Sequence, residues 1–350
     1  MKAAVMEDIR RPLVVREMPD PKIFPGGAVV RVEANGICRS DWHAWVGDWS
    51  WFGLKLNFPH VLGHEFCGVV EEVGEGVTRV HRGQRVLVPF SQGEGHCDYC
   101  RAGQPHLCDM RVTPGIAYWG GFGRLVGVPF ADVNLVPLPD SIGFTDAASM
   151  GCRYMTSFHA LVDRAHVRAG EWVAVHGCGG IGLSAVQIAT ALGASVIGVD
   201  ISDDKLALAK SLGAVATVNA KTDNAVKAIA DLTGGGAHVS VDALGVAATC
   251  QASVMSVRRQ GRHLQIGLTS SAEKGMVPIP IDLLVLKEAS MIGSYGMPAP
   301  RFDAMLQMVQ SGKLAPGKLV SRTVPLEEAG GVLASMDSFA TVGVTVIDRY

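Results

Sequence analysis

The sequence predicts an α/β protein of two domains, a doubly wound parallel sheet joined to a β-rich region. Three observations carry that expectation. The chain has 350 residues, more than one ordinary core accommodates. Its first part, to about residue 150, reads as short β-branched runs broken by turns. From Ala169 onward strands alternate with helical patterns, the rhythm of parallel strands covered by helices on both faces.

Taken in order, strands are predicted over 28–33, 66–73 and 85–89. Frequent turns between them imply a partly open barrel or a sandwich. The character changes near Asp146. A strand at 171–176 leads into an apolar helix at 181–192, and a strand at 195–200 into a helix at 203–212. A strand near Ala216, a helix near Ala225, a strand at 238–243, a helix near Ala248 and strands at 263–267 and 290–294 complete the cycle. The tail, with a helix around 303–310 and a terminal strand at 342–348, looks like the first part again. The expected division is therefore 1–152, completed by 296–350, around a parallel-sheet domain over 153–295.

Composition narrows the function. Hydrophobic residues make up 48 % and charged residues 18 %, a soluble globular balance. No apolar run approaches the ~20 residues that span a bilayer, and the N-terminus meets charge at once, unlike a signal peptide. A net charge of -2 with interspersed signs argues against nucleic acid or membrane as partner. Eight cysteines without a secretion signal point to metal ligation or buried thiols, and to the cytoplasm, rather than to disulfides.

Gly177-Cys178-Gly179-Gly180-Ile181-Gly182 matches G-x-G-x-x-G, with Gly177, Gly179 and Gly182 at the fingerprint positions. It follows a predicted strand and opens a predicted helix, the context a Rossmann dinucleotide site requires. The glycines allow a tight turn, close approach to a pyrophosphate and close helix–strand packing. The amides at Gly180 and Ile181 sit where the helix N-terminus meets the phosphates. Asp200 closes the next strand, about twenty residues on, where a carboxylate binds both ribose hydroxyls of NAD and repels a 2′-phosphate. Lys205, on the following helix, is placed along the adenosine ribose.

Two sets of residues have metal-ligand chemistry. Cys38, His64 and Cys152 together make a Cys₂His set with an open position, matching the catalytic zinc type known from alcohol dehydrogenase. Cys152 falls where the first domain hands over to the second, a place expected to border the nicotinamide. Glu65, beside His64, is read as a carboxylate that tunes the metal from behind its ligands. The second set is Cys97, Cys100 and Cys108, a C-x-x-C-x₇-C cluster with the look of a closed structural zinc. Glu94 is the best candidate for its fourth ligand, with His96 and His106 as alternatives.

Over essentially its whole length the chain resembles the zinc-dependent alcohol dehydrogenases of the medium-chain dehydrogenase/reductase superfamily. The most specific match is Gly63-His64-Glu65-x-x-Gly68-x₅-Gly74-x-x-Val77, supported by Gly36-Ile37-Cys38-Arg39-Ser40-Asp41 and Gly151-Cys152. The resemblance implies a GroES-like catalytic domain beside the Rossmann domain, and a homodimer or homotetramer. It makes Ser40 the hydroxyl that takes the alcohol proton, and His43 the outer member of that relay, reached through the cofactor ribose. Two positions depart from the family: Glu94 stands where most relatives have a first Cys, and Cys152 where its polyol dehydrogenases usually carry Glu.

The implied activity is reversible oxidation of a primary or secondary alcohol to an aldehyde or ketone, with zinc polarising the alcohol oxygen and NAD taking hydride. Trp42, Trp45, Trp49, Trp51, Phe52, Trp119 and Phe122 are candidates for an aromatic pocket wall, or for plain core packing. Competing readings are a zinc polyol or threonine-type dehydrogenase, a zinc-free quinone or enoyl reductase of the same fold, and a non-enzymatic cofactor-binding structural protein. The zinc trio argues against the reductase, and Ser40 with that trio against the structural role.

Overall fold

The computed structural model describes all residues, Met1–Tyr350. The chain divides into two units, one of Met1–Met155 with Gly296–Tyr350, the other of Thr156–Tyr295. No helix is long and apolar enough to cross a membrane.

In the first unit the β-structure forms two sheets rather than one barrel. The larger runs in the order Val320–Pro325, Val344–Arg349, Ala28–Ile37, Glu65–Val73, Arg85–Leu87 and Val136–Pro137, with Leu125–Val128 also paired to Ala28–Ile37. Its axis is Ala28–Ile37, a strand of ten residues with a nearly continuous buried pattern. It outruns its predicted end because Ala34, Asn35 and Gly36, weak strand formers, are held from both sides. Gly36 pairs with Glu65 on one neighbour and with Val346 on the other. The smaller sheet joins Val14–Glu17, Lys2–Met6 and His60–Val61. The short helix Arg39–Val46 leaves the end of the axial strand, and its N-cap is Cys38. That cap presents a thiol at the point where strand becomes helix.

The second unit is a six-stranded sheet in the order Ala216–Asn219, Ser195–Asp200, Trp172–His176, Ala237–Asp242, Val257–Gln265 and Ser290–Gly293. All its pairings are parallel. The order reverses direction between Trp172–His176 and Ala237–Asp242, the switch point where doubly wound sheets bind ligands. Val173, Ala174 and Val175 on the central strand are fully buried. A fully buried Val contributes about 1.5–3 kcal/mol over an exposed one, so the central strand fixes the register of its neighbours. Helices Gly180–Ala191, Asp203–Ser211, Ala225–Thr233 and Ala247–Met255 connect the strands.

Candidate active site

The ligand atoms of Cys38, His64, Glu65 and Cys152 all lie within 4.8 Å of one another, and all four residues are buried. Three elements deliver them. Cys38 caps the helix Arg39–Val46. His64 and Glu65 stand where the chain enters the strand Glu65–Val73, and Cys152 lies in the π-helical turn Met150–Tyr154. Three glycines permit the approach. A Cβ on Gly36 would sit 2.3 Å from Glu65 Oε2, and one on Gly151 would sit 2.9 Å from Glu65 Cα. Gly63 has a φ of 101°, a conformation that turns the chain into His64 and that L side chains rarely adopt.

The donor chemistry fits a metal. His64 Nδ1 bonds Asp41 Oδ1 at 2.8 Å. Its Nε2 is buried with no hydrogen-bond partner, which leaves its lone pair available to a metal. The two thiols perturb each other. Each sulfur, chiefly through the other, pushes Cys38 well below the usual thiol range and Cys152 well above it. Metal binding at this pair would require both sulfurs to lose their protons. Glu65 sits in the same group but is already engaged. Arg153 donates to its Oε1 from the backbone amide at 3.1 Å and from Nε at 2.8 Å, and to Oε2 from Nη2. Burial raises the Glu65 carboxyl to about 7 against the pull of that guanidinium.

Ser40 follows on the helix, its Oγ 3.9 Å from Cys38 Sγ. His43, half-buried one turn on, bonds Asp48 Oδ2 through Nδ1 at 2.6 Å. Its ring stacks on Trp49, centroids 4.7 Å apart at 10°. The aromatic run separates into different duties. Trp42 donates Nε1 to Asp337 at 2.6 Å, Trp45 donates to the Arg11 carbonyl at 2.7 Å from within the core, and Phe122 is fully buried core. Of the two alternatives, core packing is the one that Trp45 and Phe122 take, since both belong with Val5, Val61 and Leu62 to one apolar cluster. Trp119 packs on that cluster too, partly buried. Trp51 and Phe52 are exposed.

The second metal set also closes. Ligand atoms of Glu94, Cys97, Cys100 and Cys108 lie within 4.8 Å of one another. His96 and His106, the alternatives to Glu94, are outside that group. Cys97 caps the short helix Asp98–Arg101, which sets Cys100 one turn on. Glu94 Oε1 accepts from the amides of Cys97 at 2.6 Å and His96 at 2.9 Å, which aims the carboxylate at the sulfurs.

In the second unit the fingerprint glycines have distinct reasons. Gly177 has a φ of 90°. A Cβ on Gly182 would fall 1.8 Å from the Gly177 carbonyl oxygen. Nothing lies within 4 Å of a Cβ on Gly179, so no neighbour excludes a side chain there. What glycine preserves at that position is open space, directly at the N-cap of the helix Gly180–Ala191. Gly180 and Ile181 are the first residues of that helix, with Ile181 partly exposed. Asp200 ends its strand, with Oδ2 accepting from the Cys178 amide at 2.7 Å. Oδ1 accepts from Ile201 at 2.8 Å and Ser202 at 3.0 Å. The carboxylate is thereby tied to the glycine turn. Lys205 lies on the next helix, half-buried.

Comparison with known proteins finds relatives over the whole length of the chain. The zinc-binding dehydrogenase family profile covers residues 180–311, and the alcohol dehydrogenase GroES-like domain covers 25–140. An alcohol dehydrogenase of Geobacillus stearothermophilus is 39 % identical over 337 residues, 96 % of each chain. An NAD-dependent alcohol dehydrogenase of Sulfurisphaera tokodaii is 33 % identical over 357 residues, 99 % of each. Among solved structures, the alcohol dehydrogenase TADH of Thermus sp. ATN1 superposes with a TM-score of 0.91 at 32 % identity, covering both chains fully. The chain belongs to the zinc-type alcohol dehydrogenases of the medium-chain family.

Three residues of this dehydrogenase's site escaped the sequence reading. Asp41 accepts from the Cys38 amide at 2.9 Å, the Gly63 amide at 3.1 Å and His64 Nδ1. Its signal was its spacing, three after Cys38, the place a capping-box acid occupies. Arg153 was visible only as the residue after Cys152. Asp48 carried no local pattern, because its contact with His43 depends on the turn at Gly47.

Proposed function

We propose that this enzyme oxidises a small primary or secondary alcohol to the aldehyde or ketone, reversibly and with NAD. The observation that carries the reading is the convergence of Cys38, His64 and Cys152 around the orphan His64 Nε2, beside Ser40, in a chain with a Rossmann fingerprint. Bound at these residues, zinc supplies a Lewis acid to the alcohol oxygen, and NAD supplies the hydride acceptor. Cys38, His64 and Cys152 are its ligands. Ser40 takes the alcohol proton, and His43, near a neutral imidazole's working range, passes it outward. Glu65 stays with Arg153 and sets the charge behind the ligands.

On the nucleotide side, Gly177, Gly179 and Gly182 shape the turn, and the amides at Gly180 and Ile181 receive the pyrophosphate. Asp200 binds the adenosine ribose and disfavours NADP, with Lys205 alongside. Glu94, Cys97, Cys100 and Cys108 hold a second, structural zinc. None of the eight cysteines is in a disulfide, which suits a cytoplasmic enzyme.

The sheet end at Ser290–Gly293 supports a homo-oligomer. The neighbouring helix Ile281–Lys287 presents Ile281, Val285 and Leu286 at 62, 69 and 80 % exposure. A strand edge beside bare apolar side chains is a pairing surface. Light scattering expects a dimer or tetramer; a monomer at micromolar concentration removes this part.

The test of the activity is NADH formation across alcohols of graded size, each run with NAD and with NADP. Turnover with NAD on a subset of the series is expected. No NADH from any alcohol would overturn the reading.

A further inference from the structure

The outer proton group of the site is held by a second carboxylate. His43 Nδ1 lies 2.6 Å from Asp48 Oδ2. A carboxylate accepts and does not donate, so the proton of this bond belongs to Nδ1. The ring is also clamped in plane. Trp49 stacks on one face at 10°, and Trp42 meets its edge at 77° with centroids 5.0 Å apart. Trp42 is pinned in turn by Asp337, and by the Arg39 guanidinium 3.6 Å over its ring. Asp48 begins the 3₁₀ turn Asp48–Phe52, launched by Gly47 in the left-handed region. The chain therefore doubles back from the helix bearing His43 to place this carboxylate.

We propose that Asp48 is a positioning residue for proton transfer: it holds His43 in the Nδ1–H tautomer and in one orientation, leaving Nε2 as the acceptor. This rests on the role of His43 proposed above. The proton that leaves the alcohol through Ser40 ends on Nε2 as a new N–H bond. The imidazolium so formed keeps its Nδ1–H on Asp48 and returns neutral by releasing Nε2–H to water. No atom of Asp48 changes its covalent bonds. The logic is that of an acid orienting a catalytic imidazole.

The charges around the ring agree with that use. Burial lowers the His43 imidazolium, Asp48 raises it, Arg39 lowers it and Cys38 raises it, with the balance below the ordinary value. Burial thus favours the neutral ring, the form able to accept a proton. Asp337, the remaining charged neighbour, bonds Trp42 rather than the imidazole.

Two measurements on the zinc- and NAD-loaded enzyme test this. ¹⁵N NMR of histidine-labelled protein reports the His43 tautomer directly, assigned by loss of its signals in His43→Gln. The wild type is expected to show neutral Nδ1–H. Asp48→Ala is expected to move the population toward Nε2–H. It should also lower kcat for alcohol oxidation at least about tenfold, with KM for NAD within about twofold. Nε2–H in the wild type, or full kcat in Asp48→Ala, overturns the proposal. Should Asp48→Ala fail to fold, the wild-type tautomer alone decides. His43→Gln separates the two levels. If it leaves kcat unchanged, the relay reading fails. If it lowers kcat while Asp48→Ala does not, Asp48 alone is wrongly assigned.

Discussion

The two oxygens of Asp41 meet the Cys38 amide, the Gly63 amide and His64 Nδ1, so one buried side chain ties together the two loops that carry Cys38 and His64. Replacing it leaves three donors without an acceptor in a dry site. Asp41→Ala is expected to loosen zinc about 10–100-fold, read by competition with a chromophoric chelator. Unchanged zinc affinity would show that the loops hold themselves. His176 behaves differently, because nothing bonds its Nε2. Burial, with His263 nearby, pushes it down to about 3. An unfolded imidazole titrates near 6.5. Between about pH 6.5 and 3 the unfolded chain therefore binds the extra proton, and stability falls as pH falls. The slope from this one group is about 1.4 kcal/mol per pH unit. His176→Leu is expected to flatten the acid side of the unfolding free energy measured in urea. An unchanged slope would mean that other groups carry it.

Elements read from the sequence succeeded where burial is uniform. The strand Ser195–Asp200 and the helix Gly180–Ala191 were legible because apolar runs end at glycine or at a charge. The strand Val257–Gln265 was predicted only in its second half. Its first half contains Arg258, Arg259 and Gln260, and its pairing to Ala237–Asp242 shifts register there. Arg258 meets His238 at 2.9 Å and Gln260 meets Glu288 at 3.0 Å, tertiary contacts that no local pattern announces. The helix Arg39–Val46 was unread for another reason. Its N-cap is a thiol where a hydroxyl is usual, so the box formed with Asp41 did not look like one. The lobe around Cys97 has little apolar core of its own, and the residues of its helix Asp98–Arg101 are not buried. A metal is the natural source of its order. Cys97→Ser is expected to lower zinc from two to one per chain and to depress Tm, by about 2–4 °C for each kcal/mol lost. Elemental analysis with calorimetry checks both; no change in either removes the second site.

At the scale of the whole molecule, the chain divides its chemistry between two units of different build. The first brings together candidate metal ligands from chain positions more than a hundred residues apart, Cys38 and Cys152, which only its tertiary structure assembles. The second offers a glycine turn and a carboxylate that sequence spacing alone reveals, since one βαβ unit contains both. That difference explains why Asp200 was legible as a candidate in the sequence while Arg153 and Asp48 were not. It also gives the cofactor prediction: Asp200→Gly is expected to erode the preference for NAD over NADP at least tenfold in kcat/KM, a loss of about 1.4 kcal/mol of discrimination. A preference that survives would place the selectivity elsewhere. The central claim is that Cys38, His64 and Cys152 form a zinc centre on which alcohol oxidation depends. Its most direct measurement is NADH formation by one enzyme preparation before zinc removal, after it, and after zinc is restored, with metal content measured at each stage. The account predicts loss of activity with the metal and recovery on its return; full turnover by zinc-free protein would contradict it.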